Sequence, residues 1–176
     1  DVESSAGKMS PHRMLTTTFS DELKLFSPES KVFGISIKDR GAILPAGHTA
    51  NGAFWMGRSG EWISSSYYYE QLPEWLLQFQ QDKPATSYFK GAWKGKGFGY
   101  PMDSLLASKG PSSVKSTPQG NTYLKDLAIE LMKGEDLGKD KVTDVLTISF
   151  SSTDYIGHQF GPHAQELVDT YIKLDK

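Results

Sequence analysis

The segment 151–163, with the sequence SSTDYIGHQFGPH, places a carboxylate and an imidazole four residues apart, at Asp154 and His158. If the chain turns at Gly157, both side chains can reach one point, and zinc binds carboxylate oxygen as well as imidazole nitrogen. The spacing also fits a simpler interpretation, in which Asp154 caps the turn and His158 is a surface residue. Because the chain has no cysteine, a zinc ion here would depend on His, Asp, Glu or hydroxyl ligands.

A second group of charges follows the apolar run KVFGISI at 31–37. Lys38 and Arg40 are two positions apart, so they can point the same way where a strand ends. A guanidinium fork beside an ammonium group suits a phosphoryl group, whose oxygens accept hydrogen bonds from both. Solvated charges at the end of a strand are the ordinary alternative, and the spacing alone does not choose between them.

The other candidate residues give weaker signals. His48, in PAGHTANG, could carry a proton or bind a metal, although a structural role in a turn is simpler. His12 and His163 are expected at the surface. The glycine-rich GKGFG at 95–99 lacks the Lys-Ser/Thr that completes a P-loop. Aromatic residues around a predicted hairpin could form a binding wall, although hairpin packing explains them more economically: Phe54, Trp55, Trp62, Tyr67, Tyr68 and Tyr69.

The composition predicts an ordinary globular chain. Of its 176 residues, 38% are hydrophobic and 23% are charged, and the formal net charge is −2. This composition argues against disorder and against binding of nucleic acid polymers. No apolar run approaches the roughly 20 residues of a transmembrane helix, so no membrane partner is expected. We predict a single unit over 1–176.

The hydrophobic patterns predict which elements position the charged residues. Helices alternate with buried strands, which indicates an α/β sheet whose ligands gather beyond the carboxyl ends of the strands. Both charged motifs fall at such ends. The predicted elements are a helix at 11–26, a strand at 31–37, a hairpin at 53–69, a helix at 72–81, an irregular covering loop at 84–120, a helix at 121–138, a strand at 144–150 and a helix at 163–175.

Three segments have to be read together: SKVFGISIKDRGAILPAGHTANGAFW at 30–55, STPQGNTYLKDLAIELMKGEDLG at 116–138, and DVLTISFSSTDYIGHQFGPHAQELVDTYIKLD at 144–175. Together they resemble a known family, the bacterial zinc alkaline phosphatases that group with type I phosphodiesterases and nucleotide pyrophosphatases. SFSSTDYIGHQFGP is the most specific part of this resemblance, and the region 80–115 matches the family least.

The resemblance implies hydrolysis of small phosphate esters at a site with two zinc ions, where a Thr or Ser alkoxide attacks phosphorus. Asp154 and His158 would bind one zinc, and Lys38 and Arg40 would contact the phosphoryl oxygens. The nucleophile and the remaining zinc ligands of the family have no counterpart here. We therefore expect an internal piece of a larger periplasmic or secreted enzyme, inactive by itself and binding zinc weakly or not at all.

Two alternatives remain at this point. A phosphodiesterase or nucleotide pyrophosphatase would share the fold, but the two cations Lys38 and Arg40 favour a monoester, which carries up to two negative charges on its non-bridging oxygens. A non-catalytic binding module is the rival from another class. If the piece lacks neighbouring strands, its exposed sheet edges could also cause self-association.

Overall fold

The structure, a computed structural model, describes residues 5–176. The strands are β1 (Val32–Ser36), β2 (Gly52–Met56), β3 (Trp62–Ile63), β4 (Ala92–Gly95), β5 (Phe98–Pro101) and β6 (Val145–Ser149). The helices are α1 (Phe19–Phe26), α2 (Asp39–Ala46), α3 (Glu74–Asp82), α4 (Met102–Lys109), α5 (Pro118–Gly134), α6 (Ser152–Phe160) and α7 (Gln165–Leu174). Each helix within the described residues is too short or too polar to cross a bilayer.

The main sheet has four strands in the order β3-β2-β1-β6. Strand β1 pairs in parallel with β2 and with β6, while β3 runs antiparallel to β2. All five residues of β1 are buried, as expected for a parallel strand covered on both faces. The predicted α/β class is therefore confirmed, and so are the two apolar strands and the hairpin between them.

Helices cover both faces of this sheet. Helix α2 packs on one face, where Ala42 and Ile43 form a small core with Trp55. Helices α3 and α5 pack on the other face and form the larger core with residues such as Phe33 and Leu127. Burial of these apolar side chains is the main contribution to the stability of the fold.

The predicted helix at 11–26 is too long at its start. A short 3-10 turn covers Pro11–Arg13, and the α-helix begins only at Phe19. Thr18 is the N-cap, because its side chain accepts a hydrogen bond from the backbone of Asp21 and the Asp21 carboxylate accepts one from the backbone of Thr18. This capping box fixes the start of the helix. Leu15, which lies within the predicted helix, is 99% exposed.

The prediction of an irregular loop at 84–120 is corrected by the structure. Strands β4 and β5 form a hairpin, α4 follows directly, and 3-10 helices cover Ala85–Tyr88 and Pro111–Ser116. Gly97 turns the hairpin with φ +82° and Gly110 ends α4 with φ +75°, conformations that favour glycine. These elements are only a few residues long, so no hydrophobic period can develop along them.

Candidate active site

The two charged pairs, Lys38 with Arg40 and Asp154 with His158, meet beyond the carboxyl ends of the strands. Because β1 and β6 are parallel neighbours, their carboxyl ends lie side by side, and the chain continues from them into Lys38 and Asp154. The Lys38 ammonium contacts the Asp154 carboxylate directly. Arg40 is close enough to stabilise the ionised form of Asp154. The structure thus brings together all four residues that the sequence singled out.

Lys38 and Arg40 belong to a helix that the sequence did not predict. Helix α2 starts at Asp39 with Lys38 as its N-cap, and Arg40 lies in the first turn. The glycine and proline in DRGAILPA conceal the helix from sequence patterns, since both residues disfavour helix interiors. The positive end of the helix dipole lies beside the two cations, which further favours an anion there.

Asp154 and His158 also lie on a helix, and the predicted turn at Gly157 is wrong. Helix α6 runs through this glycine and ends at Gly161, which has φ +98°. Residues four apart in a helix are neighbours on one face. The pair can therefore aim at a common point, although the reason is helical spacing rather than a turn.

The geometry of this pair fits one zinc ion. The distance from Asp154 Oδ1 to His158 Nε2 is 3.5 Å. With metal–ligand bonds of about 2.1 Å, two ligands of a tetrahedral zinc are about 3.4 Å apart. Both side chains are accessible, with 48% and 82% of their surfaces exposed. Within the described residues, no third His, Cys, Asp or Glu joins them to form a metal-binding group.

The charges around Asp154 keep it ionised. The hydrogen bond from Lys38 lowers the pKa of the Asp154 carboxyl. Desolvation opposes this effect, whereas electrostatic interactions with Lys38, His158 and Arg40 add to it, and the pKa is lowered overall. A metal ligand has to be deprotonated. The lowered pKa therefore keeps the Asp154 carboxylate ionised, as a metal ligand must be, further into the acidic range than an ordinary aspartate.

Hydrogen bonds among Ser36, Ser149 and Ser151 link the carboxyl end of β1 to that of β6. The Ser36 hydroxyl donates to the carbonyl of Ser149 over 3.0 Å and lies 2.9 Å from the Ser151 hydroxyl. It also accepts a hydrogen bond of 3.1 Å from the backbone N–H of Lys38. A hydroxyl cluster buried at the ends of β1 and β6 thus holds the backbone of Lys38 relative to α6. Serines at strand ends are common, and nothing in the sequence marked these as important.

Lys115 is a further cation near the site. Its ammonium nitrogen lies 5.2 Å from the centroid of the Tyr155 ring, and that of Lys38 lies 4.8 Å from the same centroid. Distances below about 6 Å are typical of cation–π contacts. Lys115 was missed because it lies in the segment that was predicted to be irregular.

The remaining candidates lie away from this cluster. His48 follows the opposite end of α2, with its Nε2 atom 3.3 Å from the carbonyl of Thr16, in line with a structural role. His12 and His163 are exposed. The segment 95–99 is the turn between β4 and β5. Phe54, Trp55 and Trp62 are buried in the core, as hairpin packing requires.

Fold and sequence together define the class of protein. The family model described as "Type I phosphodiesterase / nucleotide pyrophosphatase" matches residues 11–176. Since this match covers nearly all of the chain, the chain belongs to that family. The resemblance inferred from the three sequence segments is confirmed.

Individual relatives include two alkaline phosphatases and one protein with a different name. Alkaline phosphatase PhoV of Synechococcus elongatus is 42% identical over 98% of this chain and 36% of its own length. Alkaline phosphatase PafA of Elizabethkingia meningoseptica is 36% identical over 99% of this chain and 37% of its own length. A Myroides odoratus protein named calcium-transporting ATPase is 41% identical over 99% of this chain and 37% of its own length.

A solved structure agrees with these sequences. The crystal structure of wild-type alkaline phosphatase PafA superposes with a TM-score of 0.83 at 36% identity, and the match covers 97% of this chain and 38% of that chain. The chain thus spans little more than a third of the length of the relatives it matches.

Proposed function

We propose that this chain is the central part of a zinc-dependent alkaline phosphatase that hydrolyses phosphate monoesters. The contact between Lys38 and Asp154 carries the proposal, because it joins a phosphate-binding motif to a metal-binding motif that lies 116 residues away in the sequence. The relatives named alkaline phosphatase support the same reaction. No feature of residues 5–176 favours the transport activity in the name of the Myroides relative.

Lys38 and Arg40 bind the non-bridging oxygens of the phosphoryl group in this proposal. A monoester carries up to two negative charges on these oxygens and a diester carries one. Two cations at the N-terminus of α2 therefore stabilise a monoester and its transition state more than a diester. The backbone N–H of Lys38 donates to Ser36, and the Lys38 ammonium contacts the Asp154 carboxylate, so Asp154 holds this cation at the site.

Asp154 and His158 would hold one zinc ion. The two Asp154 oxygens have different neighbours, because Oδ2 contacts Lys38 and Oδ1 faces His158. The carboxylate can therefore bind metal through Oδ1 and still position Lys38 through Oδ2. A bound zinc ion would supply Lewis-acid stabilisation of charge on an ester oxygen. We further propose that the nucleophile and the other metal ligands belong to the rest of a longer enzyme.

The preference for monoesters tests the two cations. In the full-length enzyme, the double substitution Lys38→Ala, Arg40→Ala should reduce kcat/KM for an aryl phosphate monoester about 10²-fold more than for the matching diester. The control is Lys94→Ala with Lys96→Ala in the exposed β4–β5 hairpin, which removes the same charge away from the site. Equal losses for both esters would contradict the assignment and favour a phosphodiesterase or pyrophosphatase.

We propose that the isolated 176-residue chain binds zinc weakly and does not turn over, because a site with two protein ligands lacks the three that a catalytic zinc ordinarily has. Adding zinc to the isolated chain and to the full-length enzyme, with paired monoester and diester substrates, tests this. Zinc-dependent turnover by the chain alone would refute it.

The enzyme is proposed to be periplasmic or secreted, and activity assays on separated periplasmic, secreted and cytoplasmic fractions would check this.

Self-association of the isolated chain through β6 is a further proposal. The outer edge of β6 pairs with no other strand among residues 5–176, and unpaired backbone groups on an edge are a template for pairing with another chain. We propose that a second copy of the chain occupies this edge when the chain is studied alone.

A further inference from the structure

A pocket of about 500 Å³ lies beside the candidate active site. Gln159 and Phe160, which directly follow His158 on α6, form one side of it. The β4–β5 hairpin, α4 and the 3-10 segment 111–116 form the others. This volume is within the usual range for small-molecule sites. The segment that was predicted to be irregular thus builds a concave surface against the C-terminal end of α6, the helix that carries the proposed zinc ligands.

One wall of the pocket is aromatic and held in place by α7. Trp93 Nε1 donates to the Asp169 carboxylate over 2.7 Å, and the Tyr100 hydroxyl donates to Glu166 over 2.7 Å. The Tyr100 ring lies 5.6 Å from the Trp93 ring and 5.6 Å from the Phe160 ring, measured between centroids. Rings fixed in this way lose little conformational freedom when a flat group packs on them.

The polar part of the lining is cationic and hydroxylic. Lys109 and Lys115 line the pocket together with several serines, and no lining residue is acidic. The carboxylates of Asp169 and Glu166, which accept hydrogen bonds from Trp93 and Tyr100, do not line the pocket. The accessible charge in the pocket is therefore positive, which favours a ligand with a negative group.

Lys115 connects the pocket to the phosphate site. Its nitrogen and that of Lys38 lie 5.2 Å and 4.8 Å from the same point, the centroid of the Tyr155 ring. The two nitrogens therefore cannot be farther apart than the 10 Å to which these distances add up. A molecule with its phosphoryl group at Lys38 can place a second negative group at Lys115 if about one ring separates the two.

From these features we infer that the pocket receives the organic part of the substrate, and that the preferred substrates are phosphate monoesters of a ring-containing alcohol with a second anionic group. The aromatic wall packs on the ring, and Lys115 binds the second anion. The inference rests on the proposed phosphatase function, and it specifies the substrate class of the same site. It also gives the segment 92–116 a role in substrate selection.

Paired substrates test the role of Lys115 in the full-length enzyme. We expect Lys115→Met to lower kcat/KM for 4-carboxyphenyl phosphate about tenfold more than for phenyl phosphate, because only the first substrate has a second charge for Lys115 to bind. Lys96→Met, in the exposed hairpin turn, removes the same charge outside the pocket and should leave the ratio unchanged. Equal losses for both substrates would place Lys115 at the phosphoryl group instead and overturn the inference.

A substitution that fills the pocket tests whether the ring of the substrate enters it. Ser104 lines the pocket from the exposed side of α4, so Ser104→Trp should occupy the space without disturbing the core. The ratio of kcat/KM for phenyl phosphate to that for methyl phosphate should then fall about tenfold, the value of one lost ring contact of about 1.4 kcal/mol. An unchanged ratio would show that the ring does not enter the pocket.

Binding of 4-carboxybenzylphosphonate, which cannot be hydrolysed, separates this inference from the proposed function. Calorimetry on the full-length protein should show about tenfold weaker binding for Lys115→Met and no change for Lys96→Met. If both variants bind like the wild type, the pocket inference is wrong even when monoesters are hydrolysed. If binding depends on Lys115 but no monoester is turned over, only the phosphatase proposal is wrong.

Discussion

The two edges of the main sheet are built differently. Strand β3 has two residues, Trp62 and Ile63, which are 0% and 2% exposed, and the backbone N–H of Trp62 donates to the Gln80 side chain over 2.7 Å. Strand β6 has five residues that are only partly buried, and Ile148 is 39% exposed. Natural sheets shorten or cover their edges, and among residues 5–176 only the β3 edge of this sheet is protected in that way.

This difference separates the two halves of the candidate site. Lys38 follows β1, which is paired on both sides and fully buried. Asp154 follows β6, which is paired on one side among the described residues. The proposed phosphate-binding half, Lys38 and Arg40, therefore follows a strand that is paired on both sides, whereas the proposed metal-binding half, Asp154 and His158, lies next to an open edge. Substitutions in the two halves should accordingly affect different properties.

The largest effect is expected in the metal-binding half. In the full-length enzyme, Asp154→Asn should lower kcat/KM for a monoester about 10³-fold, since a metal ion contributes several kcal/mol to transition-state stabilisation. The unfolding free energy of the isolated chain should change by less than about 1 kcal/mol, because the side chain is 48% exposed and surface ion pairs contribute little.

Asp103→Asn is a matched control for this substitution. Asp103 is an exposed carboxylate in the first turn of α4, as Asp154 is in the first turn of α6, so both changes remove the same interaction with a helix dipole. The control should leave activity and bound zinc unchanged. Full zinc content in Asp154→Asn, measured by atomic absorption, would show that Asp154 is not a metal ligand.

The same Gly→Ala change should have opposite effects on stability in the two halves. At Gly34 on β1, an added Cβ would lie 2.0 Å from the carbonyl oxygen of Ala42 on α2. Overpacking of this kind costs about 1–3 kcal/mol. At Gly157 on α6, the nearest atom to an added Cβ is 3.7 Å away on Leu167. Alanine should there raise the unfolding free energy by about 0.5–1 kcal/mol, owing to its higher helix propensity.

Urea unfolding of the isolated chain measures both variants. Only a decrease for Gly34→Ala together with an increase for Gly157→Ala agrees with the packing described. A stabilised Gly34→Ala variant would mean that α2 does not approach β1 closely, and the position of Lys38 would then have to be reconsidered.

A smaller, pH-dependent effect is expected at Asp21, which connects α1 to the end of α2. Burial raises the pKa of the Asp21 carboxyl, but hydrogen bonds from the backbone and side chains of Thr49 and Thr18 outweigh this and lower the pKa below 3.8. A group whose pKa is lowered on folding stabilises the fold above its unfolded pKa. This stability should be lost as the pH falls below about 3.8 and through the lower folded value.

The Asp21→Asn variant isolates this contribution. Its thermal midpoint should be lower than that of the wild type at pH 7, and the two should converge as the solution is acidified. A constant difference between the two proteins at all pH values would contradict the assignment. Glu22→Gln is the control, because Glu22 is exposed and adjacent to Asp21 in α1.

Sequence patterns predicted the elements that are long or uniformly apolar. Strands β1 and β6 are runs of buried type, and α3, α5 and α7 repeat apolar residues with helical spacing over nine or more residues. Helices α2 and α6 were missed because they contain glycine or proline, which disfavour helices locally. Tertiary packing against β1 and the buried serines, rather than intrinsic propensity, stabilises them.

The candidate site was predictable only in part. Parallel strands bring their carboxyl ends together, so the sequence could place Lys38 and Asp154 at the same end of a sheet. It could not show that they touch, because the contact spans 116 residues. Lys115 gave no signal, since its position depends on the turns of the 92–116 region. Short elements determine local geometry here, and their own sequences carry little periodic information.

The smallest effect on folding is expected at the open edge. Ile148→Lys should change the unfolding free energy of the isolated chain by less than about 0.5 kcal/mol, as is usual for exposed positions, while it should prevent self-association. A lysine on an edge strand opposes pairing with a second copy. Leu77→Lys is the control, because Leu77 is similarly exposed, at 44%, but lies on α3.

In sedimentation experiments over a range of concentrations, the wild type and Leu77→Lys should exceed the monomer mass of 19.5 kDa, and Ile148→Lys should not. A wild type of monomer mass at every concentration would show that the open edge does not pair with a second copy. Whether Asp154 and His158 need the rest of the full-length enzyme to bind zinc would then have to be tested by measuring zinc affinity alone.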